Sequence, residues 1–266
     1  MDDLTKVLIT IGLFILGAGI GSFIGMLIYR IRHKKSLIGR SVCEKCDKNL
    51  SIIELIPILS WIFLRGKCKK CHKKLDKFIP IYEIATAVLF SGSFWVWTWG
   101  ESVPIIEIIQ FALWLTILTG LIALLFFDLR YKKLPNKIMF PTMAVSVIFF
   151  VITSVIIEQN SYSDALVTVV LAMLPIAGVY GLIYLVSRGK LVGFGDVKLG
   201  VIIGFLLVWQ AGVAVLFLAN ILAFLVMLPQ LILKKADANK NISFGPFLII
   251  ATTSVFFVVK LFVDLF

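Results

Sequence analysis

Long apolar stretches alternate with short polar segments along most of the chain. The stretch at 197–209 is the shortest, and we separate it from the next one because Trp209-Gln210-Ala211-Gly212 suits a turn at a membrane interface. About 20 apolar residues cross a bilayer as a helix, so the pattern predicts about eight transmembrane helices. The apolar stretches occupy residues 6–28, 79–99, 104–127, 138–157, 165–187, 197–209, 211–233 and 244–264.

Composition agrees with a membrane protein. Hydrophobic residues make up 60% of the 266 residues and the mean hydropathy is +1.03, which is more than a soluble domain carries. We predict an all-α polytopic membrane protein with three parts: a first transmembrane helix at 1–28, a small polar domain at 29–80, and a seven-helix membrane domain at 81–266. Within the first helix, Gly17, Gly21 and Gly25 recur at every fourth position, a spacing that favours close helix packing.

Basic residues predict the orientation of the chain. Lysine and arginine number 14 in residues 29–80, four in 128–137, three in 187–198 and three in 234–240, which together hold 24 of the 26. The alternate loops carry acidic residues instead. By the positive-inside rule, the basic loops and the polar domain are cytosolic and both termini lie outside. The net charge of +11 is therefore a topology signal, and we expect no nucleic-acid partner.

All four cysteines fall within the polar domain. They form two Cys-x2-Cys pairs, Cys43 with Cys46 and Cys68 with Cys71, and 21 residues separate the pairs. This spacing predicts a tetrahedral zinc site with a structural role, since four thiolates leave no open position for water. Two disulfides are the alternative, and the predicted cytosolic side makes them the weaker one because that compartment is reducing.

Two aspartates stand at the basic ends of apolar stretches. Asp128 ends one stretch, and Asp196 closes the run Gly193-Phe194-Gly195-Asp196 just before another. Two carboxylates at one membrane interface suggest an acid/base dyad of the aspartyl-protease kind. The glycines would let an extended peptide approach the carboxylate closely.

A simpler interpretation remains open at each of these positions. An aspartate at a helix end often serves as an interfacial cap, and Asp196 precedes an apolar helix in this way. Lys198 either lowers the pKa of one carboxylate or only marks the cytosolic side.

The order and spacing of several motifs identify the chain as similar to a known family. It resembles the bacterial type IV prepilin peptidases, which cleave prepilin leader peptides and N-methylate the new N-terminus. The motifs are Gly21-Ser22-Phe23, Tyr29-Arg30, Arg40-Ser41, Glu54-Leu-Ile-Pro57-Ile-Leu-Ser60-Trp61, Arg65-Gly66-Lys67-Cys68, Tyr82-Glu83, Asp128 with Leu134-Pro135-Asn136, the run from Gly193 to Leu199, and Phe244-Gly245-Pro246-Phe247.

The resemblance implies a function and a set of functional residues. It implies Asp128 and Asp196 as the catalytic dyad, with Gly193, Gly195 and Lys198 in support. It also implies prepilin and pseudopilin substrates cleaved after a glycine, a place in the bacterial cytoplasmic membrane, zinc held by the four cysteines, and S-adenosylmethionine as methyl donor. The candidates for the methyl-transfer region are Glu54, Arg65, Lys67 and Glu83.

Two functions of other classes are weighed against this one. A proton-coupled transporter would use the intramembrane carboxylates as a relay, but the stretches around 140–157 and 213–233 are almost bare of the polar residues that it needs. A non-catalytic scaffold held by the zinc domain accounts for the cysteines, but it leaves the run that ends in Asp196 unexplained.

Overall fold

The structure is a computed structural model that describes residues 2–43, 46, 49–97, 99, 104–158, 161–232 and 243–263. The basic segment 234–240, which contributes to the predicted orientation, lies outside the described residues. The chain divides into two units, Met1–Val96 and Trp97–Phe266. The sequence predicted a domain boundary between residues 80 and 81, whereas the two units divide after Val96. The helix Phe78–Val96 belongs to the first unit because it packs on the first helix. The boundary between residues 80 and 81 stays a prediction.

The first unit consists of two long helices and the segment that connects them. Its elements are helix α1 (Asp3–Arg32), a 3-10 helix (Ile52–Leu55), α2 (Leu59–Phe63) and α3 (Phe78–Val96). The backbones of α1 and α3 approach closely, because a Cβ atom on Gly21 would lie 2.5 Å from the Cα of Glu83, and one on Gly17 would lie 2.7 Å from the Cα of Ala87. Their spacing therefore serves helix packing, as predicted.

The second unit is a helical bundle built around a short central helix. Helix α8 contacts α5, α6, α7 and α10, so it lies inside the bundle. The elements are α4 (Pro104–Tyr131), α5 (Asn136–Val151), which continues as a π-helix (Ile152–Ile157), α6 (Tyr162–Met173), a π-helix (Leu174–Gly178), α7 (Val179–Ser187), α8 (Phe194–Leu206), α9 (Trp209–Ile232) and α10 (Gly245–Val263).

Seven helical segments of the described chain are long and apolar enough to span a membrane. The prediction of an all-α membrane protein is confirmed, and these seven segments match seven of the eight predicted crossings. The eighth, at 197–209, forms α8, whose 13 residues extend only about 20 Å at 1.5 Å per residue. A hydrocarbon core of about 30 Å is longer than that.

Helix α8 begins at the end of the bundle where Asp128 lies and runs toward the opposite end. The first residue of α10, Gly245, lies against Asp128 near the end of α4, and the first turn of α8 lies beside the same group of residues. Because α8 and α10 begin at the same end, α9 must return between them. The aspartates therefore lie at the start of this α8 and α9 hairpin.

A cleft marks the opposite end of α8. It has a volume of about 70 Å³, and its lining includes Leu207, Val208, Thr153 and Glu158. Since Asp196 lies at the other end of the same helix, the cleft is separate from the aspartates.

Candidate active site and metal centre

Asp128 lies in the last turn of α4 with its side chain buried. It is only 1% exposed, so its carboxylate requires a polar partner. The Ser243 hydroxyl donates a hydrogen bond to Asp128 Oδ2, and a Cβ atom on Gly245 would collide with the same oxygen. The segment that leads into α10 therefore closes over Asp128 and holds its carboxylate in one position.

Asp196 is the third residue of α8. Gly193 is the N-cap, in an extended conformation with φ −77° and ψ 147°, and the Asp196 N–H donates to its carbonyl at 3.1 Å. The Asp196 carboxylate lies near Gly193, since a Cβ atom on Gly193 would be 3.7 Å from Asp196 Oδ2. A carboxylate in the first turn also interacts favourably with the helix dipole. The interpretation of Asp196 as an interfacial cap stays a prediction, because Gly193 occupies the N-cap position.

Leu134 contacts the starts of both α8 and α10. A Cβ atom on Gly195 would be 3.0 Å from Leu134 Cδ1, and one on Gly245 would be 3.5 Å from the same atom. Gly245 abuts Asp128 and Gly195 precedes Asp196, so the shared contact with Leu134 places the two aspartates in one region, where the charge of Asp128 acts on Asp196. Two such carboxylates in apolar surroundings do not ionise together readily, which suits one of them to act as an acid and the other as a base.

The two glycines of the run play different parts. The position of a Cβ on Gly193 is open except for Asp196 Oδ2 at 3.7 Å, so Gly193 leaves room for a peptide beside the carboxylate. Gly195 instead faces the side chain of Leu134, where a Cβ would be crowded. The small size of Gly195 therefore serves packing, and the expectation that both glycines admit a substrate stays a prediction.

Lys198 turns toward the start of α5. Its ammonium donates to Asn136 Oδ1 at 2.9 Å and lies 5.0 Å from the ring centroids of both Phe140 and Phe194. These contacts tie α5 to the first turn of α8. They favour a positioning role for Lys198 over direct pairing with a carboxylate.

The two cysteine pairs occupy two similar knuckles. An isolated β-bridge joins Val42 to Asn49 around the first pair, and another joins Lys67 to Lys74 around the second. In the second knuckle the Cys68 N–H donates to the Lys73 carbonyl at 3.0 Å, and the His72 N–H donates to the Cys68 carbonyl at 2.9 Å. Each knuckle thus turns two sulfurs toward one point.

The four sulfurs fit a tetrahedral metal. Their Sγ atoms all lie within 4.8 Å of one another, and those of Cys43 and Cys71 are 3.9 Å apart. Zn–S bonds of about 2.3 Å at tetrahedral angles separate sulfurs by about 3.8 Å, whereas a disulfide needs about 2.05 Å. Hydrogen bonding from the Cys71 backbone N–H, followed by that from Lys70, lowers the pKa of Cys68 to about 7, which favours the thiolate that a metal binds.

Three of the four methyl-transfer candidates lie beside the second knuckle. The Glu54 carboxylate accepts hydrogen bonds from the Ser51 N–H and hydroxyl, both at 2.9 Å, and so caps its own 3-10 helix. The Ser51 backbone N–H, with a further contribution from Lys69, lowers the pKa of Glu54. Arg65 and Lys67 are exposed on the turn that enters the knuckle. Glu54 is therefore engaged in the fold, while the two cations remain accessible.

Glu83, the fourth candidate, is buried in α3 and holds a strained turn. Its Oε2 accepts a hydrogen bond from the Ile58 N–H at 2.6 Å. Ile58 has φ 63° and ψ −55°, a conformation that a β-branched residue rarely adopts. Glu83 thus fixes the start of α2.

Sequence reasoning missed two residues near the aspartates, Ser243 and Tyr180, and it named Leu134 only as part of a motif. Ser243 directly precedes the Phe244-Gly245 motif, so its position was a usable signal. Tyr180 lies in an apolar stretch with nothing in the local pattern to distinguish it.

Comparison with known proteins identifies the family of the chain. The model of the bacterial peptidase A24 N-terminal domain matches residues 15–97, and that of the type IV leader peptidase family matches residues 115–228. A prepilin leader peptidase/N-methyltransferase of Aeromonas hydrophila is 30% identical over 217 residues, which are 81% of this chain and 70% of that protein. The chain belongs to the type IV leader peptidase family.

Other relatives with the same description extend over more of their length. Those of Stutzerimonas stutzeri and Pseudomonas aeruginosa are 28% and 27% identical, and each alignment covers 89% of this chain and 86% of the relative. No solved structure matches the chain significantly. The predicted family and the predicted enzyme class, a peptidase of this family with N-methyltransferase activity, are thereby confirmed. The family and the apolar helices also support a multi-pass protein of the inner membrane.

Proposed function

We propose that the chain is an aspartyl endopeptidase that removes the leader peptide of type IV prepilins and pseudopilins after a glycine. The observation that carries this proposal is the approach of Asp128 and Asp196, from α4 and α8, beneath the segment at 243–245. The names of the relatives, which describe prepilin leader peptidases, support the substrate.

The two aspartates divide the acid and base steps. The ionised carboxylate takes a proton from water as the water oxygen attacks the scissile carbonyl, and the protonated carboxyl donates a hydrogen bond to the carbonyl oxygen. Collapse of the tetrahedral intermediate breaks the C–N bond, and a proton passes to the leaving amine. Ser243 holds Asp128 during these steps, and Lys198 holds the first turn of α8 against α5.

The segment at 29–80 carries the methyl transfer. S-adenosylmethionine supplies the methyl group when it is bound. The indole Nε1 of Trp61 is buried without a hydrogen-bond partner among the described residues, and its ring packs against Gly66, between the exposed Arg65 and Lys67. One unpaired donor beside two cations suits a carboxylate such as that of the cofactor. Zinc on the four cysteines holds this segment folded.

The orientation follows from charge. The zinc domain and the aspartates lie at the cytosolic face of the bacterial cytoplasmic membrane, and both termini lie outside. A prepilin presents its basic leader on that side while its apolar helix stays in the bilayer, so the scissile bond reaches the aspartates at the interface.

Asparagine substitutions test the cleavage reaction. In vesicles that contain a purified prepilin, Asp128→Asn and Asp196→Asn are each expected to lower the cleavage rate by about 1,000-fold or more, because the amide cannot exchange the proton. Leader loss is measured by mass spectrometry, which also detects the added methyl group. Asp164→Asn, on the exposed first turn of α6, is the matched control and should cleave normally.

Full cleavage by the Asp196→Asn variant would exclude the proposed mechanism. Proton flux into liposomes without any peptide would instead support the transporter alternative, which the comparisons do not favour.

A further inference from the structure

Helix α7 runs along the first turn of α8. The rings of Tyr184 and Phe194 are 5.3 Å apart, and a Cβ atom on Gly181 would lie 3.7 Å from Val197 Cγ1. These contacts pair position 184 with 194 and position 181 with 197, so α7 and α8 run antiparallel. Asp196 is then level with position 182, and Tyr180 lies about 3 Å from that level along the helix axis. The Asp196 carboxylate is near enough to act on the phenol electrostatically.

The ring of Tyr180 also touches the segment that covers the other aspartate. Its centroid is 5.4 Å from that of Phe244, at an interplanar angle of 55°. Phe244 lies between Ser243, which donates to Asp128, and Gly245, which abuts the same carboxylate. Tyr180 therefore borders the space beside both aspartates.

The hydroxyl of Tyr180 has no hydrogen-bond partner among the residues that the structure describes, although the side chain is only 5% exposed. Buried phenol groups in folded proteins are normally hydrogen-bonded. Asn220 lies near the phenol, but its Nδ2 donates to the Leu216 carbonyl at 2.7 Å, and no acceptor among the described residues is within hydrogen-bond distance of the Tyr180 hydroxyl. A buried, unused donor beside the aspartates indicates that its acceptor arrives with a ligand.

We propose that Tyr180 donates a hydrogen bond to a backbone carbonyl of the bound peptide beside Asp196. The inference rests on the proposed function, since the acceptor is the peptide that the aspartates cleave. A backbone carbonyl fits because an extended peptide carries carbonyl groups that lose their water partners on binding and need donors from the protein.

The test compares two tyrosines on the same helix. Tyr180→Phe keeps the ring and its contact with Phe244 but removes the donor, and Tyr184→Phe is the matched control because its contact with Phe194 involves the ring alone. In vesicles with a purified prepilin, we expect Tyr180→Phe to lower kcat/KM for cleavage by about tenfold and Tyr184→Phe to leave it unchanged. The thermal midpoint of the Tyr180→Phe protein should equal or exceed that of the parent, because a buried unpaired hydroxyl is removed.

Three results would overturn the inference: normal cleavage by Tyr180→Phe, loss of cleavage with an equal loss of thermal stability, or a displaced pH profile, which would mean that Tyr180 acts through Asp196. Asp196→Asn in the same assay separates this inference from the proposed function. If Asp196→Asn is inactive while Tyr180→Phe is normal, only the inference on Tyr180 fails. If Asp196→Asn cleaves normally, the proposed function itself fails.

Discussion

The zinc knuckles and the aspartate site are assembled in opposite ways. Each knuckle closes within about eight consecutive residues, between Val42 and Asn49 or between Lys67 and Lys74, through its own short bridge. The aspartate site draws on the end of α4, Leu134, the first turn of α8, and residues 243–245, which are more than one hundred positions from Asp128. A locally closed site tolerates changes elsewhere in the fold, whereas a site built from distant segments depends on helix packing.

Loss of the metal should have the largest effect, and this effect should be confined to the zinc knuckles. Chelation of zinc, or Cys43→Ser, is expected to abolish methylation of a co-expressed prepilin while leader removal continues. The physical reason is that a structural zinc site contributes about 10–16 kcal/mol of apparent folding free energy to its own small domain. Mass spectrometry of the prepilin measures both reactions in one spectrum.

Ser36→Ala, on the exposed segment that precedes the first knuckle, provides the control and should retain zinc and both activities. Equal loss of cleavage and methylation on chelation would show that the two regions are not independent.

Crowding of Asp128 should produce the next largest effect, and this effect should be confined to the aspartate site. Gly245→Ala places a methyl group against Asp128 Oδ2 and forces the carboxylate to move. A displacement of about 1 Å in a catalytic group costs about 100-fold in rate, so cleavage should fall by about that factor while zinc content stays unchanged. Cleavage kinetics and metal analysis of the purified protein test this.

Gly178→Ala is the matched control, because the nearest side-chain atom to its added Cβ, Leu174 Cδ2, is at an ordinary 3.5 Å. Normal cleavage by Gly245→Ala would contradict the close approach of α10 to Asp128.

Removal of the contact between Lys198 and α5 should have the smallest effect. Lys198→Met keeps the length of the side chain but removes the hydrogen bond to Asn136, which lies at the exposed surface. We expect a loss of about 0.5–1 kcal/mol in stability and a decrease of about threefold in the cleavage rate, with no change in its pH profile. Lys190→Met, on the exposed turn before α8, serves as the comparison.

A shifted pH profile in the Lys198→Met protein would show instead that Lys198 tunes a carboxylate directly. The aspartate region would then depend on charge as well as on packing.

Sequence patterns predicted the fold class and the family because both depend on signals that are close together in the chain. Apolar runs report transmembrane helices, and two Cys-x2-Cys pairs report a metal site. The short stretch at 197–209 was also apparent, but its bounds were not, because α8 begins at Phe194 and ends at Leu206 while the hydrophobicity continues into α9. The role of Gly195 was also missed, because its neighbour Leu134 is 61 positions away.

The sequence by itself determined a polytopic helical protein of a leader peptidase family. It also identified a four-cysteine metal site and two aspartates as candidate catalytic residues. Only the tertiary structure decided which groups lie near those aspartates: Ser243 on Asp128, Leu134 against Gly195 and Gly245, and Tyr180 with an unused hydroxyl. The physical reason is one of range. Helix formation and metal spacing depend on neighbours within a few residues, whereas burial and hydrogen bonding at the site depend on helices that meet only after the chain has folded.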